Sequence, residues 1–249
     1  MRRLRLAFGF FTILPLGRSG SMEEIASAGF LLPVVALVLG GMEGLAGWGL
    51  SQIFGIYLTA ALILVLAFLL TGLHHADGLA DVGDAVLAGG GPERRLAVLK
   101  DRTMGIGGLT ALVFTFVISW ASLTEILPSF DRGSFPWLLM AIEVSARLAL
   151  ISLAALSRPS HRGSGSAFIA GLKGWRSVVA LGITLLFLSL LVIPLGITVP
   201  SACGTGALAV AIFLTAAGRR WFGGANGDLL GASVEAGRMA ALLGAAAVL

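Results

Sequence analysis

Long apolar runs separated by short polar segments dominate the chain. Five are clear, at roughly 28–50, 53–72, 106–127, 137–156 and 178–195. A sixth covers about 202–218 and a shorter one about 238–249. A membrane-spanning helix needs about 20 mostly apolar residues. The first five runs meet that length and the sixth is close to its minimum. The last would span only if its helix began earlier, near Leu230. The pattern predicts an all-α fold: a polytopic integral membrane bundle of six to seven transmembrane helices, forming one domain over residues 1–249.

The start of the chain is a separate case. Arg2, Arg3 and Arg5 precede the apolar stretch Leu6 to Leu16, an arrangement shared with signal peptides. No small-x-small cleavage site closely follows, since Gly17, Arg18, Ser19 and Gly20 come next. The expectation is a retained short helix, half-buried or interfacial, broken at Pro15.

Composition strengthens the membrane reading. Hydrophobic residues make up 57% and charged residues 12%, against about 25% charge in soluble domains. So few charges cannot cover a globule of this size in water. The net charge is +4, but the basic residues are dispersed between apolar runs, so no nucleic-acid partner is expected. The single cysteine, Cys203, excludes an intrachain disulfide and a thiolate zinc site.

The basic residues also orient the chain. Arg2, Arg3, Arg5 and Arg18 precede the first span. Arg94, Arg95, Lys100 and Arg102 lie between the second and third. Arg158, Arg162, Lys173 and Arg176 follow the fourth, and Arg219, Arg220 and Arg238 follow the sixth. If spans alternate, these 15 of the 17 basic residues share one side. Only Arg132 lies opposite, and Arg147 lies inside a span. The expected location is the cytoplasmic (inner) membrane, multi-pass, with the N-terminus and active-site loops in the cytoplasm. Trp120 and Trp137 sit where interface anchors do.

Acidic residues are scarce, and four of the six Asp fall between 77 and 101. If a helix continues from the second span through His74, Asp77, Asp81 and Asp84, those four side chains share one face. Adjacent carboxylates repel unless a cation or proton lies among them. Hard oxygen ligands suit Mg²⁺, or Mn²⁺, with water and phosphate oxygens completing the shell. Gly78 and Gly83 are expected to leave room for a ligand. The alternative is a plain solvated helix face.

A basic, glycine-rich stretch follows: Arg94, Arg95, then Lys100-Asp101-Arg102-Thr103-Met104-Gly105-Ile106-Gly107-Gly108. Carboxylates for a metal beside cations for phosphate is a division of labour seen in phosphoryl transfer. Lys100 and Arg102 flank Asp101 directly before the third span, next to the close-approach glycines Gly105 and Gly108, and suit an anionic substrate. Arg94 and Arg95 could equally be positive-inside markers. Near the end, Asp228 and Glu235 lie seven residues apart on one predicted helix face, suggesting a second set of oxygen ligands facing the first. Asn226 or Asp228 could instead cap that helix. Asp81 or Asp84 is expected to accept a hydroxyl proton, directly or through water held by the metal, with His74 as the fallback base. His161 reads as part of a solvated loop. Within the membrane, Glu143 and Arg147 are spaced to pair. Glu43 has no local partner and must face the bundle interior or the span end. A proton or ion path through Glu43 and Glu143 is the transporter alternative.

These residues resemble a known family. Gly72-Leu73-His74-x-x-Asp77-Gly78-Leu79-Ala80-Asp81-x-x-Asp84 is similar to the signature of the cobalamin (5'-phosphate) synthases, or adenosylcobinamide-GDP ribazoletransferases. Leu99-Lys100-Asp101-x-x-x-Gly105-x-x-Gly108, with Arg102 between, resembles a second element. Gly223-Gly224-x-x-Gly227-Asp228-x-x-Gly231-Ala232-x-x-Glu235 resembles a third. Phe10 to Leu16 resembles the family's opening, which favours retention. His75 and Asn226 depart from the usual residues, and the Arg158–Gly165 loop matches loosely.

The resemblance implies a donor, adenosylcobinamide-GDP, and an acceptor, the 3'-hydroxyl of α-ribazole or its 5'-phosphate. GMP would leave, with Mg²⁺ as cofactor. It implies Asp77, Asp81, Asp84 and Asp228 as metal ligands. Substrate contacts would come from Arg94, Arg95, Lys100, Asp101, Arg102, Gly105, Asn226 and Glu235. Catalysis would fall to Asp81, Asp84, His74, Lys100 and Arg102. The bilayer is an obligate partner, and self-association or contact with other cobamide-assembly enzymes is compatible. The runner-up is a CDP-alcohol phosphatidyltransferase-like enzyme, whose repeated Asp pattern fits only partly because Asp81 stands where that pattern has Arg and His74 where it has Asp.

Overall fold

A backbone in hydrocarbon has no water to bond to, so apolar runs must close their hydrogen bonds within helices. A computed structural model describes residues 1–16, 20–101 and 103–249, and there the runs form an all-α bundle. Arg18 and Arg102 lie outside the described residues. Helix α1 (Arg2–Phe11) buries Leu6, Ala7, Phe8 and Phe11 and ends at Thr12, whose hydroxyl donates to the Phe8 carbonyl at 2.6 Å. The short helix thus ends three residues before Pro15. Helix α2 (Met22–Ser27) starts with a reciprocal cap, Ser21 accepting from the Glu24 amide and Glu24 accepting from the Ser21 amide.

The main helices of the bundle follow. These are α3 (Leu32–Leu50) and α4 (Ile56–Leu70), then, after the short α5 (His74–Leu87) and α6 (Pro92–Val98), α7 (Ile106–Ile126) and α8 (Phe135–Leu156). After α9 (Ser164–Leu172) come α10 (Trp175–Leu195), α11 (Thr198–Phe222) and α12 (Gly227–Ala246). Among the described residues, six helices are long and apolar enough to cross a membrane, with α4 and α5 as a further, bent pair. The last crossing helix begins at Gly227, earlier than Leu230, and so reaches 20 residues.

Helix α4 does not run on into the Asp-rich segment. Gly72 has φ +63° and Leu73 has φ +62°, and α5 turns away from α4 by 93°. Left-handed geometry is easy for glycine, but costs about 1–2 kcal/mol at a residue such as Leu73. At 15 residues α4 is shorter than those six helices, and α5 leaves its line to pack against α7 and α12.

Glycine permits the close crossings. A Cβ on Gly206 or Gly244 would collide with the backbone at Ala240 or Ala202, so α11 and α12 pack antiparallel at near-backbone contact. Gly40 and Gly44 let α3 approach α8 in the same way. At one end of the bundle, the Trp120 indole donates to the Tyr57 carbonyl at 2.9 Å, and Arg132 donates to Gln52 at 3.0 Å. The other end gathers α1, α2, α5, α6 and α9.

A charged cluster lies within the bundle. Glu143 of α8 pairs with Arg147 one turn on, and also accepts from Arg238 Nε of α12 at 2.5 Å; Arg238 in turn pairs with Glu235. Glu43 of α3 faces the interior, buried, close enough to feel these charges. Arg238 is therefore not a surface cation. Removing it from the orientation argument leaves fourteen basic residues on one side and Arg132 on the other.

Candidate active site

The Asp-rich helix α5 is held between two others. At its first half, a Cβ on Gly78 would lie 2.7 Å from the Asp228 carbonyl oxygen, so α12 begins against it. At its second half, a Cβ on Gly83 would lie 2.7 Å from the Gly107 carbonyl oxygen of α7. The space expected to hold a ligand at Gly78 and Gly83 is filled by neighbouring backbone. These glycines are sites of helix approach, and that approach delivers the site.

Asp77 is exposed, while Asp81 and Asp84 are half-buried. Burial pushes the Asp81 carboxyl up to about 6, with further contributions from the negative charges of Asp77, Asp228 and Asp84. Four carboxylates from α5 and α12 thus share one electrostatic neighbourhood.

Asp84 has a structural duty. Helix α7 opens on Gly105 and has no side-chain cap of its own. The Asp84 carboxylate accepts from the Gly105 amide at 2.7 Å and the Gly108 amide at 2.8 Å. A helix N-terminus favours an anion, and here a side chain of the same protein occupies that place. The amides of Gly105 and Gly108, expected to approach phosphate, serve Asp84.

The other candidate residues divide similarly. Arg95 donates to the Ala85 and Val86 carbonyls at the end of α5, at 3.2 and 3.0 Å, and lies over the Trp221 ring. Asp101 accepts from the Thr103 amide and hydroxyl, forming the turn before α7. Arg94 and Lys100 are exposed at the same end of the bundle. The Asn226 side chain caps α12 by accepting from the Leu229 amide at 2.8 Å, which leaves Asp228 in the first turn without that task. Glu235 does not join the Asp cluster. It lies about two turns deeper and is committed to Arg238.

His74 is exposed beside Asp77, and His75 is buried. Burial first, then the positive charges of Arg147 and Arg238, hold His75 well below the usual imidazole range. The segment carrying His161 is tied to the start of α12: the Ala225 amide donates to the Arg158 carbonyl and the Ser160 amide to the Ala225 carbonyl, both at 2.8 Å. His161 comes close enough to act electrostatically on Asp228. Sequence reasoning left this histidine in solvent, and it is exposed; what that reasoning missed is the pairing of its segment, across more than 60 residues, which has no local signal. It also missed a cavity of about 530 Å³ that reaches from His74 and Asp228 to Phe11 and Phe168.

The whole-chain comparison decides the family. The sequence matches the family described as Cobalamin-5-phosphate synthase over residues 3–246. The chain belongs to that family. Its relatives include an adenosylcobinamide-GDP ribazoletransferase of Methanococcoides burtonii, 32% identical over 96% of this chain and 90% of that protein. One of Halorubrum lacusprofundi is 36% identical over 96% of this chain and 94% of its own length. One of Pyrobaculum calidifontis is 35% identical, covering 96% and 97%. No solved structure matches. The Asp-bearing end of α5, the α6–α7 connection and the start of α12 all fall within the matched family region.

Proposed function

We propose that this protein is an adenosylcobinamide-GDP ribazoletransferase, acting at the cytoplasmic face of the membrane. The observation that carries this reading is the family match along residues 3–246, among relatives bearing that name at 32–36% identity. The carboxylate cluster at the basic end of the bundle suits the same chemistry. It favours a surface enzyme over a transporter, which would depend on its buried charges instead.

The reaction joins two substrates. The 3'-hydroxyl oxygen of α-ribazole, or of its 5'-phosphate, attacks the cobinamide-bearing phosphorus of adenosylcobinamide-GDP. A phosphoester bond forms, the anhydride bond to GMP breaks, and GMP leaves with the bonding electron pair. The hydroxyl proton passes to a base, for which Asp81 is the leading candidate. Its half-buried carboxyl, raised to about 6, binds a proton more readily than an ordinary carboxylate while still being mostly ionised at neutral pH. His74 is the fallback.

The donor set fits a hard divalent cation. Asp77, Asp81 and Asp228 offer oxygen ligands whose mutual repulsion a cation would relieve. Among the described residues no three acidic, histidine or cysteine side chains stand close enough to cage an ion alone. Mg²⁺ would therefore take remaining ligands from substrate oxygens and water, and when bound it would neutralise charge on the diphosphate. Asp84 holds α7 in place beside this set. Lys100 and Arg94 are exposed cations on the same end, suited to the diphosphate. The role assigned to Arg102 stays with the motif, since that residue is not among those described.

The test is GMP release from adenosylcobinamide-GDP by purified protein in nanodiscs. Release that requires both α-ribazole and Mg²⁺ is expected. Release independent of acceptor would mark a hydrolase, and none under any condition would refute the assignment. A phosphorothioate donor should give inversion at phosphorus, as direct in-line attack requires.

A further inference from the structure

The cavity beside Asp228 has two unlike ends. Its inner wall is apolar and aromatic: Phe11 and Phe168 meet edge to face, centroids 5.7 Å apart, with Ile25 and Leu230 beside them. Its polar end is formed by His74, Ser164 and Asp228. Asp228 also belongs to the carboxylate cluster, so the cavity opens onto the place where the transfer is proposed. His75 lines it too, and the His75 Nδ1 is buried without a hydrogen-bond partner among the described residues.

This shape selects between the two substrates. A volume of about 530 Å³ falls in the range that encloses a small organic ligand. A corrinoid carrying GDP is far larger. Guanine presents a dense edge of donors and acceptors, which apolar walls could not pair. A flat, largely apolar heteroaromatic base fits those walls.

We propose that the cavity between α1, α2, α5, α9 and α12 is the acceptor site, taking a nucleoside with a flat, apolar, benzimidazole-type base. The base lies against Phe11 and Phe168, and the ribose points to Ser164, His74 and Asp228. Its hydroxyl then faces the carboxylate cluster, where the donor diphosphate is held. The proposal rests on the ribazoletransferase reading for the identity of the acceptor, but its cavity can be tested without turnover.

Two variants probe the apolar wall. Phe168→Ala removes an aromatic face, and Ile25→Trp fills the space. Each should raise KM for α-ribazole by about tenfold or more, while KM for adenosylcobinamide-GDP changes less than about twofold. Equilibrium dialysis of 5,6-dimethylbenzimidazole riboside against full-length protein in nanodiscs gives a readout independent of activity. Binding should be lost in Ile25→Trp, provided that its melting temperature matches wild type; Phe168→Ala serves if it does not. Wild-type binding with no GMP release would retain the cavity and refute the reaction. GMP release with unchanged acceptor KM in both wall variants would retain the reaction and overturn the cavity assignment. A shift in donor KM instead, or displacement of the riboside by varying the acyl chains of the nanodisc, would also overturn it.

Discussion

Asp81 shows how one residue can be set against the stability of its own fold. Burial and three neighbouring carboxylates raise its carboxyl to about 6 from an ordinary 3.8. The folded state therefore binds a proton that the unfolded state has already released between those values. Without metal, the associated stability is present below about pH 3.8 and is lost as pH rises through about 6. Asp81→Asn should accordingly melt no lower than wild type at pH 7.5 in the absence of metal, as differential scanning fluorimetry can check. The same substitution should reduce GMP release by at least about 100-fold, because a ligand to the charge-neutralising cation is lost. On the proposed function, protons and Mg²⁺ would compete for the cluster in wild-type protein. The Mg²⁺ concentration giving half-maximal rate should be higher at pH 5.5 than at pH 7.5, and equal values would remove Asp81 from the metal site.

At the scale of elements, the site depends on how α5, α7 and α12 are joined. Helix α7 begins with glycine and borrows its cap from Asp84. Asp84→Ala should cost about 1–2 kcal/mol, the worth of a lost N-cap, seen as a lower midpoint of unfolding. Asp84→Asn keeps one acceptor oxygen and turns an NH₂ group toward the other amide, so it should lose a comparable amount. Asp81→Asn, three residues earlier on α5 and not part of that cap, should not. Activity loss in Asp84 variants is then partly a matter of a displaced α7, and a rate recovered at lower temperature would separate that share. The Glu143–Arg147 pair has likewise become part of a cluster joining α8 to α12. Arg238→Met should destabilise by about 3–5 kcal/mol, since it leaves two buried carboxylates short of a partner. Replacing Glu143, Arg147, Glu235 and Arg238 together by apolar residues of similar volume should recover much of that loss. Unfolding in mixed detergent micelles measures both.

The whole molecule places its functional groups at one end. The turn between α10 and α11 and the contacts of Trp120 and Arg132 mark the opposite end, which carries little charge. With Arg147 and Arg238 both inside the bundle, the positive-inside argument still stands at fourteen to one. A cysteine introduced at Arg94, on the exposed face of α6, should react with an impermeant maleimide in inverted vesicles and not in intact cells. The native Cys203 is fully buried and should stay silent. Labelling from outside intact cells would reverse the orientation.

The sequence by itself determined the class of fold and the chemical end of the molecule. Hydrophobic length set the crossing helices, dispersed charge set the sidedness, and the spacing of Asp77, Asp81 and Asp84 set one acidic helix face, because each is a property of consecutive residues. Tertiary structure decided which groups meet. Gly72 and Leu73 turn α5 out of line with α4, a choice of two backbone dihedrals with no hydropathy signature. Gly78 and Gly83 read in sequence as room for a ligand, yet serve helix approach, because a missing Cβ admits backbone as readily as ligand. Asn226 and Asp228 competed as caps, and local geometry chose Asn226. Glu235 looked aligned with Asp228 on the helix face, but two turns of depth carried it to Arg238 and into the buried cluster. The cavity formed by Phe11, Phe168 and His75 joins segments more than 60 residues apart, and only packing could assemble it.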